Sequence, residues 1–463
     1  MASRTLGLLR ASLPALALAY ACALLPACSA EVEPGAPDDD AQDEALGALP
    51  GAVRYPRGRT QGPITTEMVA RWATAAARAP SRKADVFSKI GDSQTVNAGF
   101  MHCFSDAGVN LAGRVEPLES PRGAQGLADT ISLFLRNDKG KLTFDRESLS
   151  AKVGARSTWA LGGPLVSEVD ATQARFAVVL YGGNDIMDAP TGGIFTYAKN
   201  MFSIADALLA RGVIPIFTST VPKPIRATDV PRFGALGADV WVPRYAAVVR
   251  GVAQARQIPF VDLEKELRAI PGYGVGRDNL HLYASSLGAC DFSAEGLKAG
   301  VNTRNLLTIQ ALHRVRVAFE RGTGTDTGAA TLAGKGTTAA PFVVDELPFS
   351  DFQTTKGADL QTTLGDYACA SPTGTLQRKG AGHERVYRLT LPTARRVRAT
   401  VFSRGGADVD VYVLKEGATR TCVGRHDREL SIDLDAGSYL VVLDSESVAT
   451  EGEYLLTLVP EEG

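Results

Sequence analysis

Three short polar motifs in this 463-residue chain contain side chains that could cooperate in acyl transfer. The motifs are Gly91-Asp92-Ser93, Gly182-Gly183-Asn184-Asp185 and Asp278-Asn279-Leu280-His281. A serine hydroxyl is a poor nucleophile until a base removes its proton, and a histidine oriented by a carboxylate is suited to that task. Ser93, His281 and Asp278 therefore have the types required for a nucleophile, its base and the acid that orients the base.

Each of these residues also has an ordinary structural explanation. Ser93 could cap a helix, although Asp92 would serve equally well. Asn184 and Asp185 are common turn residues, and a lone histidine such as His281 is more often a surface residue. The joint pattern, rather than any single motif, favours catalysis.

The segments around the motifs alternate between apolar runs and helical patterns. Predicted strands lie at residues 84–90, 176–181, 213–217 and 258–261, and predicted helices near 194–211, 243–256 and 304–320. Repeated strand–helix units predict a parallel sheet covered by helices, and hence a three-layer α/β/α sandwich over residues 63–321. A proline within each of the two shorter apolar runs suggests that those strands end early or lie towards the sheet edge.

This fold class explains how distant motifs could meet. Ligands of an open parallel sheet bind beyond the carboxyl ends of its strands. One motif follows the first predicted strand, the second follows residues 176–181, and the third lies beyond the last predicted strand. We therefore expect all three motifs at one edge of the sheet.

The C-terminal quarter of the chain has a different periodicity. Val409, Val411 and Val413 alternate with polar or half-polar neighbours, and several further short runs do the same. Short alternating strands separated by turn residues predict a small antiparallel β-sandwich over residues 346–463. Residues 322–341 are almost wholly Gly, Thr and Ala, so we predict a flexible linker at 322–345 between two independently folding units.

Taken in order, the three motifs resemble the GDS, GxND and DxxH blocks of the SGNH (GDSL-type) esterases and lipases. The resemblance covers roughly residues 80–320 and implies a flavodoxin-like three-layer fold with ester hydrolysis by a Ser93–His281–Asp278 triad, without metal or cofactor. For the oxyanion it implies three donors: the backbone N–H groups of Ser93 and Gly154 and the side-chain amide of Asn184. Gly162 and Gly163 are alternatives to Gly154, which follows a plausible second strand.

Other polar residues of this region have expected supporting roles. We expect Asp92 and Asp185 to bond backbone amides around the site, and His102 to be a packing residue. The polar stretch 113–147 is predicted to be an insertion near the mouth of the site.

The C-terminal region resembles the bacterial pre-peptidase C-terminal domain, a β-sandwich appended to secreted enzymes. The matching segments are VYRLTL, DVDVYVL, LDAGSYLVVLDS and GEYLLTL. The resemblance implies a role in stability, secretion or surface attachment. The chain contains no HExxH motif that would indicate a metalloprotease.

The N-terminus has the pattern of an export signal. Arg4 and Arg10 precede an uncharged apolar run, residues 11–27, that ends at Leu25-Pro26-Ala27-Cys28. This pattern resembles a lipoprotein signal over residues 1–27, in which Cys28 becomes lipidated; cleavage after Ala30 is the alternative. Residues 28–62 begin with an acidic, Pro- and Gly-containing segment that predicts a solvated tether. We expect an exported protein of the bacterial cell envelope, held at a membrane by a lipid anchor or secreted.

The net charge and the cysteine spacing indicate which binding partners and metal sites are not expected. A net charge of −2 gives no reason to expect nucleic acid binding. Cys103, Cys290, Cys369 and Cys422 form no CxxC pair, so a structural zinc site is not indicated. In an exported chain these four residues could form disulfides, Cys103 with Cys290 and Cys369 with Cys422, although separate buried thiols are the alternative for the first pair.

The sequence thus predicts an extracytoplasmic serine esterase that removes small acyl groups, acetyl among them, from small molecules or polysaccharides. Transfer of the acyl group to a sugar hydroxyl on the same site is one alternative. A surface binding or adhesion protein with a vestigial triad is another, and it belongs to a different functional class.

Overall fold

The computed structural model describes residues 51–106, 108–113, 126–135, 137–138, 141–224, 237–357, 369–370, 376–377, 382–417 and 421–461. All of them fall within one compact unit. The predicted signal, Cys28 and most of the predicted tether lie outside these residues. None of the helices within the described ranges has the length and hydropathy needed to cross a membrane.

The N-terminal half is built on a parallel sheet, as predicted. Its strands are β1 (Lys83–Gly91), β4 (Ala174–Leu180), β5 (Ile214–Thr218) and β6 (Phe260–Val261), in that spatial order. A separate two-stranded ribbon is formed by β2 (Asn137–Asp138) and β3 (Lys141–Leu142). Strand β4 is buried along its whole length, which explains why its sequence is apolar on both faces.

Helices cover both faces of this sheet. They are α1 (Thr66–Ala77), α2 (Ser93–Val96), α3 (Leu127–Phe134), α4 (Ser157–Leu161), α5 (Pro164–Thr172), α6 (Gly193–Ala210), α7 (Val242–Arg256), α8 (Leu263–Arg268) and α9 (Gly300–Arg321). Because β1, β4, β5 and β6 follow one another in one direction, right-handed crossovers put α6 and α7 on the same face. Phe134 of α3 and Phe319 of α9 both contact Phe176 of β4 from the other face. The predicted three-layer α/β/α architecture is confirmed.

The plausible second strand before Gly154 is reduced to a single bridge. Ala151 pairs in parallel with Gly91, and the Gly91 amide donates to the Ser150 carbonyl at 2.9 Å. This segment nevertheless occupies the position beside β1 that gives the sheet a flavodoxin-like order. Strand β1, which leads to Ser93, therefore has a neighbour on each side: β4 on one side and the segment around Ala151 on the other.

The two prolines have different outcomes. Pro259 directly precedes β6, a two-residue strand at the sheet edge, as predicted. Pro215 instead lies inside β5, which pairs with both β4 and β6. The prediction of an edge position was wrong for β5. The residues of β5 next to Pro215 supply the hydrogen bonds that pair this short strand with its two neighbours.

The described helix of the predicted insertion at 113–147 packs on the sheet and not at the mouth of the site, where we expected the insertion. Its helix α3 buries Leu127, Ile131 and Phe134, and Phe134 packs edge-on against Phe87 at 5.3 Å. The Thr130 hydroxyl is also hydrogen-bonded to His313 of α9. The described part thus covers a face of the sheet, since its apolar residues have helical spacing, and residues 114–125 lie outside the described ranges.

The C-terminal region is an antiparallel β-sandwich, also as predicted. One sheet has the order β14 (Thr421–His426), β13 (Val409–Lys415), β16 (Gly437–Ser445), β11 (Glu384–Leu391) and β7 (Phe342–Val344). The other has the order β15 (Glu429–Leu434), β12 (Arg395–Ser403), β17 (Glu453–Glu461) and β8 (Phe349–Thr354). A short pair, β9 (Cys369–Ala370) and β10 (Leu376–Gln377), forms a separate two-stranded sheet.

The predicted linker has no helix before β7 but contacts the rest of the protein. The Asp326 carboxylate pairs with Arg59 at 2.6 Å and with Arg314 at 2.8 Å, and it accepts from the Ile64 amide. The last residues assigned to the linker form β7, which runs parallel to β11. Although its composition is typical of a flexible linker, this segment is held in place by the ion pairs of Asp326 and by the pairing of β7 with β11.

The end of the predicted tether is part of the fold, contrary to expectation. Arg54 and Tyr55 are buried, and the Tyr55 hydroxyl donates to the Ile258 carbonyl at 2.7 Å. Arg54 pairs with Asp345 at 2.8 Å and donates to the Ser350 carbonyl of β8. The tether as predicted is therefore too long at its C-terminal end, because Arg54 and Tyr55 have specific partners.

Helix α7 lies directly against the β-sandwich. Gly251 of α7 allows this approach, since a Cβ atom there would stand 2.5 Å from Leu455 of β17. The Ser350 hydroxyl donates to the Ala247 carbonyl at 2.7 Å, and Arg244 pairs with Glu429. The two regions that we expected to fold independently share one hydrophobic core that includes Phe352, Phe402 and Leu455.

Candidate active site

Ser93 is the first residue of α2, directly after the sharp turn that follows β1. Gly91 is required in this turn, since a Cβ atom would stand 2.5 Å from the Leu180 carbonyl oxygen and closer still to Thr95. Asp92 caps α2 by accepting a hydrogen bond from the Gln94 amide at 2.9 Å. Asp92 rather than Ser93 is thus the helix cap, which leaves the Ser93 hydroxyl available for another contact.

That contact is with His281. His281 Nε2 lies 2.9 Å from Ser93 Oγ, and His281 Nδ1 lies 2.6 Å from Asp278 Oδ2. The two distances are within hydrogen-bonding range, and they connect the three side chains in one chain. The geometry is that of a nucleophile, a base and a carboxylate that orients the base.

The loop that carries Asp278 and His281 is held by its own backbone. Asp278 Oδ1 accepts from the amides of Leu280 at 2.9 Å and His281 at 3.0 Å, and Asn279 has a positive φ of 53°. Although partial burial raises it, hydrogen bonds from the amide and ring of His281 hold the pKa of Asp278 below its ordinary value. Asp278 is therefore a carboxylate at neutral pH and can orient the imidazole.

Gln94 fixes this loop from the side of α2. Its side-chain Nε2 donates to the Leu280 carbonyl at 2.8 Å, and its Oε1 accepts from the Leu282 amide at 3.2 Å. These two bonds bracket His281 in the chain. Sequence reasoning missed Gln94, because glutamine after a putative nucleophile has no chemical signature of its own.

Asn184 stands on the other side of the serine turn. Its Nδ2 donates to the Ala155 carbonyl at 3.0 Å, which leaves the second N–H of the amide for another acceptor. Gly154 directly precedes Ala155 and has a φ of +77° with no atom within 4 Å of a Cβ position. Gly154 therefore lies between Ala151, which pairs with Gly91, and Ala155, whose carbonyl binds Asn184. Gly162 and Gly163 are further along, at the end of α4 and the start of α5.

Asp185 holds the segment after Gly154 in place. Its Oδ1 accepts from the Ser157 amide at 2.9 Å and from the Ser157 hydroxyl, and its Oδ2 accepts from the Gly182 amide at 3.2 Å. Burial raises the pKa of this carboxyl. Burial likewise raises the pKa of Asp92 to about 6, opposed by the Gln94 amide and the Arg304 guanidinium. Both aspartates bond backbone amides around the site, as expected.

A narrow cleft opens beside the serine. It is lined by Asp92, Ser93, Gln94, Leu180, Gly183, Asn184, Thr220, Val221, Lys223 and Leu280. Its volume of about 20 Å³ has room for a single water-sized group. Lys223 is buried and donates to the Gly183 carbonyl. This lysine, also missed in the sequence, places a cation at the wall of the cleft.

Two disulfides join the four cysteines that lie within the described residues. Cys103–Cys290 has a Cα–Cα distance of 5.6 Å and links the turn after α2 to the segment after His281. Cys369–Cys422 has a Cα–Cα distance of 5.4 Å and lies in the β-sandwich region. The first disulfide therefore ties together the two parts of the chain that carry Ser93 and His281.

The other histidines lie away from Ser93. His313 is buried on α9, and burial lowers its pKa to about 4. His383 pairs with Glu451 at 2.8 Å, and His426 accepts from backbone amides of the β14–β15 turn. His102 is half-buried in the turn after α2, and burial lowers its pKa. Within the described ranges no cluster of His, Cys, Asp and Glu could hold a metal ion.

Comparison with protein families gives a match at the same residues. Residues 90–285 match the GDSL-like lipase/acylhydrolase family. The matched range contains Ser93, Asn184, Asp278 and His281 and spans the sheet from the end of β1. A search of curated protein sequences found no match.

Several solved structures are similar to parts of this chain at low sequence identity. A lipase/acylhydrolase from Enterococcus faecalis is 18% identical over 49% of this chain and 94% of its own, with a TM-score of 0.32. A GDSL-like lipase from Bacteroides thetaiotaomicron is 17% identical over 53% of this chain and 96% of its own, with a TM-score of 0.29. The pre-peptidase C-terminal domain of a collagenase from Bacillus anthracis is 13% identical over 24% of this chain and 89% of its own, with a TM-score of 0.18.

Proposed function

We propose that Ser93, His281 and Asp278 are the catalytic triad of this protein. Residues 90–285 match the GDSL-like lipase/acylhydrolase family, so the protein is a carboxylic ester hydrolase. The observation that carries the proposal is the hydrogen-bonded chain from Ser93 Oγ through His281 to Asp278, with distances of 2.9 and 2.6 Å. A vestigial triad would have no need for this alignment.

In the first half-reaction Ser93 Oγ attacks the carbonyl carbon of the ester while its proton passes to His281 Nε2. Asp278 stabilises the imidazolium through Nδ1. The negative charge moves to the carbonyl oxygen, where the Ser93 amide, the Gly154 amide and the Asn184 side chain are the proposed donors. Collapse of the tetrahedral intermediate breaks the ester C–O bond, and the leaving alcohol takes the proton from His281.

In the second half-reaction a water molecule attacks the acyl group on Ser93. His281 Nε2 accepts the proton of this water, and the same three donors receive the negative charge again. Release of the carboxylic acid restores the Ser93 hydroxyl with the proton held by His281. The cycle uses no group from outside the chain apart from water and the ester.

The shape of the site supports small acyl groups on large alcohols. The cleft of about 20 Å³ beside Ser93 leaves no room for a long acyl chain, which supports a small acyl group. The side chains of His281 and Asp278 are 36% and 50% exposed, so the leaving-group side of the triad faces solvent. An alcohol as large as a carbohydrate polymer would fit an open side of this kind.

We place this activity outside the cytoplasm, in the cell envelope or the medium. The support is the N-terminal signal pattern that ends at Cys28, whose lipidation would attach the enzyme to a membrane. Mass analysis of the mature N-terminus tests this part of the proposal, and a free Glu31 terminus would contradict lipidation.

A fluorophosphonate probe tests the nucleophile directly. The full chain should gain the mass of one phosphonyl group on the peptide that contains Ser93, and Ser93→Ala should abolish this gain. A parallel panel of p-nitrophenyl esters should show acetate hydrolysed faster than octanoate. Labelling of a different serine, with hydrolysis intact in folded Ser93→Ala, would overturn the assignment.

A further inference from the structure

Tyr283 lies two residues after the proposed base and presents its ring to solvent. Its exposed fraction is 43%, and it is the only aromatic residue among the exposed large apolar side chains of the described ranges. Single exposed apolar residues are common on protein surfaces. The position of this ring beside the triad and the way it is anchored are what distinguish it from them.

The backbone places the side chains of Tyr283 and His281 on the same side of one segment. Leu282, between them, forms an antiparallel bridge with Val275 and is buried. The side chain before it is 36% exposed and the residue after it 43%. Side chains of an extended segment alternate between its two faces, and residues two apart are separated by ~7 Å. The Tyr283 ring therefore lies next to the imidazole on the solvent side of the loop.

This is the side from which the alcohol leaves in the proposed mechanism. His281 Nε2 gives its proton to the alcohol oxygen, so the alcohol must lie next to the imidazole. The acyl group would enter the narrow cleft, which is lined by Leu280 and not by Tyr283. The Tyr283 ring is therefore available to the alcohol part of the ester and not to its acyl part.

The ring is held in position before a substrate arrives. The Tyr283 hydroxyl donates to the Lys298 carbonyl at 3.2 Å. The Tyr283 carbonyl accepts from the Val301 amide, at the start of α9, at 3.0 Å. Because the ring is fixed at its backbone and at its hydroxyl, it loses little conformational freedom when a ligand binds.

The surroundings of the ring favour a sugar over a wholly apolar alcohol. Lys298, which holds the Tyr283 hydroxyl, forms an exposed ion pair with Glu295 at 2.6 Å. A pyranose ring has C–H groups on its face and hydroxyls around its edge. Its C–H groups are attracted to the negative face of an aromatic ring, and its hydroxyls can bond the charged groups at the rim. A wholly apolar alcohol would gain more from an enclosed apolar pocket.

We propose that Tyr283 is a specificity-determining residue, whose ring stacks against the sugar unit that carries the ester. The inference rests on the proposed esterase function, because it concerns the alcohol side of the same site. The C–H face of the sugar would lie on the Tyr283 ring, with the ester oxygen towards His281 and hydroxyls towards Lys298 and Glu295. Tyr283 thus selects the alcohol and takes no part in the steps that make and break bonds.

Three acetate esters of primary alcohols test this assignment on the full chain. They are methyl 6-O-acetyl-β-D-glucopyranoside, cyclohexylmethyl acetate and ethyl acetate. All three give the same acetyl-enzyme, so differences in kcat/KM report the step in which the alcohol is still bound. The wild type should prefer the glucoside to ethyl acetate, and Tyr283→Ala should lower this preference about tenfold. The preference for cyclohexylmethyl acetate over ethyl acetate should change much less, because that ring has no hydroxyls to reach the rim.

Two further variants separate the ring from its anchor and from general damage. Tyr283→Phe keeps the aromatic face but loses the bond to the Lys298 carbonyl, so the preference should fall only about threefold. Val448→Ala, at a position 64% exposed in the β-sandwich region, is the control for loss of exposed apolar surface and should leave the preference unchanged. Tyr283→Leu replaces Tyr283→Ala if the latter does not fold, since it keeps apolar volume without the ring.

Two kinetic results would overturn the proposal. One is an unchanged preference for the glucoside in folded Tyr283→Ala or Tyr283→Leu. The other is an equal loss for the glucoside and the cyclohexylmethyl ester, which would indicate that the site takes an apolar alcohol instead of a sugar.

A binding measurement distinguishes this failure from failure of the esterase proposal. Saturation-transfer NMR of Ser93→Ala with the glucoside should show contact at the C–H protons of the sugar ring without turnover. Adding Tyr283→Ala should weaken this binding about tenfold. Unaltered binding in the double variant would count against Tyr283. If folded Ser93→Ala instead hydrolyses the glucoside like the wild type, the assignment of the nucleophile fails, and the role of Tyr283 is still decided by the kinetic preference.

Discussion

At the scale of single residues, the proposed chemistry depends on a contact between side chains 188 positions apart in the chain. Ser93 and His281 must act together, since the base has no function without the nucleophile. We expect Ser93→Ala and His281→Ala each to lower kcat by about 10⁴- to 10⁶-fold, and the double variant to be hardly worse than either. Steady-state kinetics on p-nitrophenyl acetate, with circular dichroism to confirm folding, check this expectation.

Asn184→Ala provides the contrast. It should lower kcat by only about 10²- to 10³-fold, because it removes one of the proposed oxyanion donors and leaves the nucleophile intact. Additive losses in the Ser93/His281 double variant, or a full loss in Asn184→Ala, would mean that the roles assigned to these residues are wrong.

The buried carboxyl of Asp92 gives a prediction about stability. Burial raises its pKa to about 6 in the folded protein, above the ordinary value of about 3.9 in the unfolded chain. The folded state therefore holds this proton to higher pH, and its stability decreases as the pH rises from about 4 to about 6. Asn can cap α2 equally well but does not ionise. As the pH rises over this range, the free energy of unfolding of Asp92→Asn should therefore increase relative to that of the wild type by about 2–3 kcal/mol.

Urea denaturation at several pH values measures this difference. Asp435→Asn, at an exposed position, is the matched control and should follow the wild type throughout. Parallel curves for Asp92→Asn and wild type would show that Asp92 does not take up a proton on folding in this range.

At the scale of elements, α2 and the 278–282 loop form one unit through Gln94. We expect Gln94→Met to remove both side-chain bonds at similar volume and to let the loop, with His281, move relative to Ser93. A displacement of this kind can cost about 10²-fold in rate. The kcat should therefore fall by about 10- to 100-fold, with a much smaller change in KM.

Val96→Ala, on the same helix but exposed, is the control for general damage to α2. Gln94→Glu adds a second test, because it keeps the acceptor for the Leu282 amide but loses the donor to Leu280. It should lie between wild type and Gln94→Met at high pH. A Gln94→Met variant with wild-type kcat and lowered thermal stability would reduce Gln94 to a packing role.

The elements themselves were largely predictable from the sequence. Apolar runs located β1 and β4 to within two residues, since buried parallel strands are apolar on both faces. The motifs that follow β1 and β4 were predictable for the same reason, since they begin where these apolar runs end. Gln94 and Lys223 were not, because their roles depend on which backbone groups the fold brings within reach. The packing of α3 on the sheet was also missed, since residues 113–147 are polar on average although the helix itself has an apolar face.

At the scale of the whole molecule, composition was a poor guide to whether the two regions fold independently. The Gly-, Thr- and Ala-rich segment suggested a flexible linker between separate units. A few specific residues decide otherwise: Asp326 ties the segment to Arg59 and Arg314, and Gly251 lets α7 approach β17. Pairwise contacts between distant segments leave no periodic signal in a sequence. The domain boundary is therefore visible in the sequence, but the contact across it is not.

This shared core leads to the last prediction. A chain that ends at Arg321 should be markedly less stable than the full chain and should lose much of its activity. Truncation removes Phe352, Phe402 and Leu455 from the core that they share with the α/β region. Loss of one buried phenylalanine side chain typically costs about 3–5 kcal/mol, so the Tm should fall by about 10 °C or more. Differential scanning fluorimetry and p-nitrophenyl acetate hydrolysis measure the two effects. A protease site inserted after the exposed Gly328 is the matched control, since cleavage there breaks the chain but keeps the β-sandwich in place. The cleaved halves should elute together in size-exclusion chromatography and remain active. Separation of the halves into a folded, fully active N-terminal fragment would show that the interface contributes little and that the two regions are independent units.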